Sequence, residues 1–370
     1  MRVDLVDPSA YTPPYDHALA AALARQGAQV RLLTSRFVYG SVPAPEGYEL
    51  RRSFYRHARG APASRIRLAL KLAEHVPDML RLRRIARETD IVHFQWLAVQ
   101  ALDMHLLPDR PLVLTAHDLL PREPRPGQLR AQRQLYDRVQ AVVVHSDYGR
   151  RTLVQGLGID AAKVHVIHHG AFDHLTRLPR ERPLPPGLQG VAPRRPVVLS
   201  FGLIRPYKGI EDLLEAWHGI TDADLWIVGR SRMDLASLRE RAPAGVRFLP
   251  RFVADDELPA FFRRADVVVL PYVQAERFDF SGVLATALAF GKAIVLTDVG
   301  GFSEVAEAGA ARLVPSHDPD RLRGALEELI GDPAERERLG QAARTAVQQR
   351  YSWDAAARKT LELYGTIRRA

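Results

Sequence analysis

The chain has 370 residues, 46% hydrophobic and 26% charged, a balance that suits a soluble globular protein of two ordinary domains. It contains no cysteine, which excludes disulfides and thiolate metal sites, and no apolar run approaches the roughly 18–20 residues that cross a bilayer. The net charge of +9 sits wholly in residues 1–180, where 26 Lys and Arg face 17 Asp and Glu. That excess either meets an anionic membrane surface or an acidic acceptor, or decorates solvated helices. Nucleic acid is not expected, because the basic stretch has few interleaved aromatics and no recognisable binding module.

Strand and helix patterns alternate along the chain, which predicts parallel sheets covered by helices. The first residues meet acids and prolines too early for a secretory leader, and a cytoplasmic enzyme is expected. A strand over 2–6 is followed by the loop Tyr11-Thr12-Pro13-Pro14-Tyr15-Asp16-His17, an Ala/Leu helix over 17–26 and a strand over 29–34. A long amphipathic helix covers 66–87, with a candidate break at Pro77. Short buried strands follow at 91–94, 112–115, 141–145 and 164–167. Residues 179–196 hold six prolines and two glycines, which is linker chemistry.

A fresh series starts at 197. Strands are expected at 197–201, 225–228, 246–249, 267–270 and 293–296, with helices at 211–218, 233–241, 256–264 and 282–290 between them. Further helices cover 318–330, 333–351 and 352–369. The domain reading is therefore 1–178, a linker at 179–196, a second domain at 197–350 and a closing helix at 351–370 that packs back toward the first domain. The fold class is α/β, two Rossmann-like doubly wound domains facing a central cleft, with ligands at the carboxyl ends of the strands.

Two turns carry the chemistry. Ser200-Phe201-Gly202-Leu203-Ile204-Arg205-Pro206-Tyr207-Lys208-Gly209 empties a strand into a loop with two cations. The stretch 265–304 empties another strand into Ser281-Gly282 at a helix start. Strand ends and helix N-termini aim backbone N–H groups at phosphates, so the pair suggests a diphosphate held from two sides. Arg205 and Lys208 would stabilise charge that grows on a departing diphosphate. Gly202, Ser281, Gly282 and Val283 would supply amide and hydroxyl donors. Thr286, one turn further, is in reach of a ribose hydroxyl, and Asp279 and Glu276 are candidates for sugar hydroxyls.

In this order and spacing the turns, with Ala265-to-Tyr272, Val299-Gly300-Gly301-Phe302-Ser303-Glu304 and Tyr351-Ser352-Trp353, resemble the GT-B glycosyltransferases of the retaining family 4 type across nearly the whole chain. The resemblance implies a sugar moved from a nucleoside-diphosphate sugar, the co-substrate, to a hydroxyl acceptor, with no metal or other cofactor and no protein nucleophile. It makes His117 a cleft histidine that contacts the donor sugar. The chain departs from the family's usual Glu-x7-Glu donor signature: Thr286 stands at the second Glu, Phe278 at the first, and Glu276 is out of register. Leu203 replaces the Arg that commonly follows the first-turn Gly, with Arg205 two residues beyond it.

Asp16 and His17 are candidates to meet the acceptor, with Asp16 as a plain N-cap the competing reading, and Trp96 is a candidate to stack on a sugar face. Glu304 is either a loop carboxylate or a cap. Several signals are set aside. Asp222-Ala223-Asp224 precedes a strand, unlike a metal-binding Asp-x-Asp. The histidines 165, 168, 169 and 174 lack an evident fourth-ligand geometry. His145-Ser146-Asp147 are too close in sequence for a hydrolytic triad. A non-catalytic sugar or nucleotide binder and a sugar-nucleotide epimerase remain the alternatives.

Overall fold

In the computed structural model, residues 1–61, 64–121, 124, 126–188, 195–273 and 278–369 are described. The chain divides into two units, one of Met1–Gly170, Glu276–Asp279 and Ser352–Ala370, the other of Ala171–Ala275 and Phe280–Tyr351.

The first unit is built on seven parallel strands. They are β1 (Arg2–Asp7), β2 (Gln29–Thr34), β3 (Glu49–Arg52), β4 (Ile91–Phe94), β5 (Leu112–Thr115), β6 (Ala141–Val144) and β7 (Val164–Val166), in the order β3-β2-β1-β4-β5-β6-β7. The central strands are continuous apolar runs because helices cover both faces of such a sheet. Chain order reverses between β1 and β4, the switch point where doubly wound sheets leave a crevice. The last helix, Trp353–Arg369, belongs to this unit and lies against the helix Pro13–Arg25.

The second unit has six parallel strands. They are β8 (Val197–Phe201), β9 (Asp224–Val228), β10 (Val246–Leu249), β11 (Val267–Leu270), β12 (Ala293–Thr297) and β13 (Arg312–Val314), in the order β10-β9-β8-β11-β12-β13. Its core joins Val198, Leu225, Ile227, Val267 and Val295 to Leu213, Trp217 and Leu326 from the covering helices.

Several boundaries differ from the sequence reading. The first helix starts at Pro13, not 17, because a proline in the first turn loses no hydrogen bond and its φ suits a helix. Pro77 does not interrupt Arg65–Ile85. Residues on either side anchor the helix there: His75 to Tyr55 at 2.8 Å, Asp78 to the Tyr55 N–H at 2.7 Å. The linker expected at 179–196 is not free where it is described. Arg182 bonds Asp256 and Glu181 bonds Arg263, each at 2.5 Å, so 179–188 lies on the second unit, which already begins at Ala171.

One buried ion pair ties the first sheet together. Asp4 on β1 takes Nε and Nη2 of Arg31 on β2 at 2.7 and 2.9 Å, and the Thr89 hydroxyl at 2.7 Å. Asp4→Ala removes these charge-assisted bonds but leaves Arg31 partly exposed and still bonded to Thr89, so it should cost about 1–3 kcal/mol. A denaturant titration reads this directly, and a midpoint equal to wild type would show that the pair adds nothing.

Candidate active site

In the second unit the loop after β8 is pressed against its neighbours so tightly that only glycine fits at two points. A Cβ on Gly209, which adopts φ +63°, would lie 1.7 Å from the Pro271 carbonyl oxygen, and one on Gly229 (φ +139°) would lie 1.9 Å from that of Gly202. The short turn Pro206–Lys208 is thereby seated beside the end of β11, where Tyr272 stands. Lys208 is 8% exposed. Its ammonium donates to the Tyr272 hydroxyl and sits 3.7 Å from that ring's centroid. The Tyr272 hydroxyl lies 3.0 Å from Oγ of Ser281. Ser281 caps the helix Gly282–Ala289, its Oγ accepting from the Val283 N–H.

Lysine only donates, so Tyr272 accepts from it, and either hydroxyl of the Tyr272–Ser281 pair can donate to the other. Gly202 stands close by: a Cβ there would be 3.0 Å from Val283 Cγ2 and 4.0 Å from the Lys208 nitrogen. Arg205, half-buried in the same loop, has a buried Nε without a hydrogen-bond partner among the described residues. A positive loop and a helix N-terminus meet at Lys208, Tyr272 and Ser281, which is the composition of an oxyanion site.

Tyr272 is the residue that sequence reasoning missed. It ends a buried strand and reads as core, and only the facing Lys208 and Ser281 reveal its role.

Other donor expectations are corrected. The Thr286 hydroxyl donates to the Gly282 carbonyl at 2.8 Å and is buried, so its proton is not available to a ribose. Asp279 belongs to the first unit and is fully buried; its carboxylate accepts from the His145 N–H at 2.5 Å and from the Ser146 hydroxyl. A Cβ on Gly149 would come within 2.7 Å of it, so the carboxylate is enclosed by the start of the Asp147–Arg151 turn and is an internal anchor. Phe278, at the family's first Glu position, is buried and bridges Asp118 through backbone. Glu276 lies outside the described residues. Glu304 is in the first turn of Phe302–Glu307 and pairs with Arg350 at 3.2 Å, so it is neither a loop carboxylate nor a cap.

The first unit gathers histidines around Tyr15. Its ring meets those of His117, His169 and Trp353 edge-on at 4.6, 4.9 and 5.0 Å, and His145 at 5.4 Å. Gly170 lacks a Cβ because one would fall 2.3 Å from the Trp353 ring. His93, beneath, bonds Tyr364 at 2.6 Å and Thr115 at 2.8 Å. Burial, reinforced by the neighbouring imidazoles, holds His117 well below its ordinary value and His93 and His169 at about 3. Burial brings His145 to about 4, against a bond to the Ile167 carbonyl. The ring nitrogens do not converge on a point: Nδ1 of His145, His168 and His169 each faces a backbone carbonyl.

His117 follows β5 with Nδ1 3.4 Å from His145 Nε2 and Nε2 3.1 Å from the Gln95 side-chain oxygen. A neutral His145 that donates to Ile167 from Nδ1 has only a lone pair at Nε2. His117 must then donate from Nδ1, and its own Nε2 requires a donor. Turning the Gln95 amide satisfies both and pairs its otherwise orphaned, buried nitrogen.

The three acceptor-side residues fall close together. Asp16 is the fourth residue of its helix, not an N-cap; Thr12 holds that position and gives its hydroxyl to Asp16 at 3.3 Å. Asp16 is hydrogen-bonded to Asp7, and burial with the Asp7 charge pushes its carboxyl well up. His17 bonds Tyr48 at 2.5 Å, and burial, then the Arg52 charge, lowers it to about 4. Trp96 stacks on His117 at 5.2 Å and bonds Thr12 at 2.9 Å.

Comparison with known proteins gives this geometry a family. Residues 15–171 match the glycosyltransferase family 4 model and residues 195–332 the model for group 1 glycosyl transferases. The D-inositol 3-phosphate glycosyltransferase of Kineococcus radiotolerans is 30% identical over 94% of this chain and 88% of that protein. Among solved structures, HepE of Anabaena in complex with UDP-glucose superposes with a TM-score of 0.74 at 20% identity, over 99% of this chain and all of that one. The sucrose-phosphate synthase of Thermosynechococcus elongatus gives 0.74 at 19% identity over 99% of each.

The neutral histidines set a pH dependence. The unfolded chain protonates these imidazoles below about 6.5 and the folded chain resists until about 4, so their contribution is complete above 6.5 and lost on acidification. Each withdraws about 1.4 kcal/mol per pH unit across that window. The raised Asp7 and Asp16 carboxyls work in the opposite sense, but they are a coupled pair against the lowered His17, His93, His117, His145 and His169. Chemical denaturation should therefore show stability falling steeply between about pH 6.5 and about pH 4.5; a level profile would mean the histidines are solvated.

Proposed function

Since the chain belongs to the family 4 glycosyltransferases, we propose that it transfers a sugar from a nucleoside diphosphate to a hydroxyl acceptor, with retention at the anomeric carbon and without a metal. The observation that carries this reading is the buried Lys208 ammonium on Tyr272 beside the Ser281 cap, with Arg205 in the same loop as Lys208. As the glycosidic bond breaks, negative charge moves onto the diphosphate. Arg205, Lys208, the Ser281 hydroxyl and the N–H groups of Gly282 and Val283 stabilise that charge more in the transition state than in the ground state. The acceptor hydroxyl attacks the face from which the diphosphate leaves, and a phosphate oxygen takes its proton. His117, uncharged, positions the sugar. UDP-glucose in the related HepE supports a nucleotide-sugar donor.

A peripheral membrane contact is part of this reading. On the helix Arg65–Ile85, Leu68 and Leu72 share one face and are 60% and 57% exposed, with the exposed Arg65 one turn before Leu68. Among the described residues no helix is long and apolar enough to cross a membrane.

Product formation should be tested with UDP-, GDP- and dTDP-sugars with and without a chelator. Transfer that persists with chelator supports the reading, and chelator sensitivity overturns its metal independence. Lys208→Ala and Arg205→Ala should each lose roughly 2–4 kcal/mol of transition-state stabilisation; an unchanged kcat in both would remove the diphosphate role. Vesicles carrying anionic lipid should float the protein in a salt-sensitive way, and equal flotation by neutral vesicles would count against the basic face.

A further inference from the structure

At the carboxyl ends of β1, β2 and β3 the first unit has a pocket of about 460 Å3, within the roughly 300–1,000 Å3 typical of small-molecule pockets. Its lining includes Asp16, His17, Thr34, Ser35, Arg36 and Arg52. Ser35 is 4% exposed, and its buried hydroxyl has no hydrogen-bond partner among the described residues. Such an orphan is costly unless a ligand or water satisfies it. The Thr34 hydroxyl, by contrast, donates to the Asp7 carbonyl at 2.7 Å.

The cations show the same contrast. Arginines on the adjoining strands but outside the cavity are paired, Arg31 with Asp4 and Arg51 with Glu49. The side chains of Arg36 and Arg52, exposed residues that line it, have neither a hydrogen bond nor an ion pair among the described residues. The one acidic side chain in the lining is Asp16, whose carboxyl is pushed well up by burial, then by the Asp7 charge and hydrogen bond. Two guanidinium forks and an unsatisfied hydroxyl therefore line a recess whose one carboxyl is biased toward its neutral form, and guanidinium matches phosphate and carboxylate geometry.

We infer that this cavity is an oxyanion subsite, and that it receives a phosphate or carboxylate group carried by the acceptor. The inference rests on the reading of the chain as a transferase acting on a hydroxyl acceptor. It adds that the acceptor is anionic, held by Arg36, Arg52 and Ser35, which positions its hydroxyl without entering the bond-making step.

The test is calorimetric titration of the whole chain with inorganic phosphate, glucose 6-phosphate and glucose. Wild type should bind both phosphates and not glucose. Arg36→Ala/Arg52→Ala should weaken glucose 6-phosphate at least about tenfold, and Ser35→Ala by a smaller factor. Arg83→Ala/Arg84→Ala removes equal charge from the same unit and should change nothing. UDP titration of each variant separates the two readings. Unchanged UDP binding with lost phosphate binding supports the subsite. Unchanged UDP binding with phosphate binding equal in wild type and Arg36→Ala/Arg52→Ala overturns it and spares the transferase reading. Phosphate binding without any UDP binding counts against the nucleotide donor and leaves the subsite standing. Equal losses in the Arg83/Arg84 control reduce the effect to surface charge and overturn the proposal. Binding of inorganic phosphate with exclusion of glucose 6-phosphate assigns the cavity to free phosphate and overturns the acceptor assignment.

Discussion

An ammonium group withdrawn from water needs oriented dipoles around it, and in the second unit that need shapes the surrounding loops. Lys208 rests on Tyr272, Tyr272 reaches Ser281, and Ser281 holds the start of the helix Gly282–Ala289. The lysine end of this relay can only donate, and the helix start adds its own backbone N–H groups. The bare Cα atoms of Gly209 and Gly229 let three strand-end loops approach closely enough for this relay to exist. A site prepared in this way has little left to reorganise when an anion arrives.

The first unit follows the opposite strategy. Its histidines are packed among aromatic rings and stay uncharged, so their contribution is shape and defined hydrogen-bond direction. Asp7 and Asp16 likewise share a proton instead of presenting two charges. With the imidazoles neutral and the two carboxyls reduced to one shared charge, the two lining arginines outweigh it. The uneven distribution of charge along the sequence thus becomes, in part, the positive lining of one recess.

The legibility of the sequence followed how local each signal was. The alternating architecture and the Gly202-to-Gly209 turn were readable because apolar runs, glycines and cations follow one another within a few residues. β3 went unread because Glu49–Arg52 is an edge strand with no apolar alternation. Asp279 looked like a ligand because it precedes Ser281-Gly282, yet its partners lie over a hundred residues earlier, at His145 and Ser146. Tyr272 and Ser35 were silent for a related reason: a hydroxyl's importance depends on which groups approach it, and composition carries no record of that. Thr286 spends its proton on the Gly282 carbonyl of its own helix, a local bond that its place in the sequence does not announce.

The helix Trp353–Arg369 supplies Trp353 against Tyr15 and Tyr364 against His93, yet nearly the whole second unit precedes it in the chain. During synthesis the first sheet therefore emerges from the ribosome long before the residues that seal its aromatic interior. Until translation nears that helix, Tyr15 and His93 wait in an unfinished core, and the nascent first unit depends on chaperones or on its own marginal stability. An expression product stopped after Gly170 would inherit that condition permanently, with an apolar surface open to aggregation.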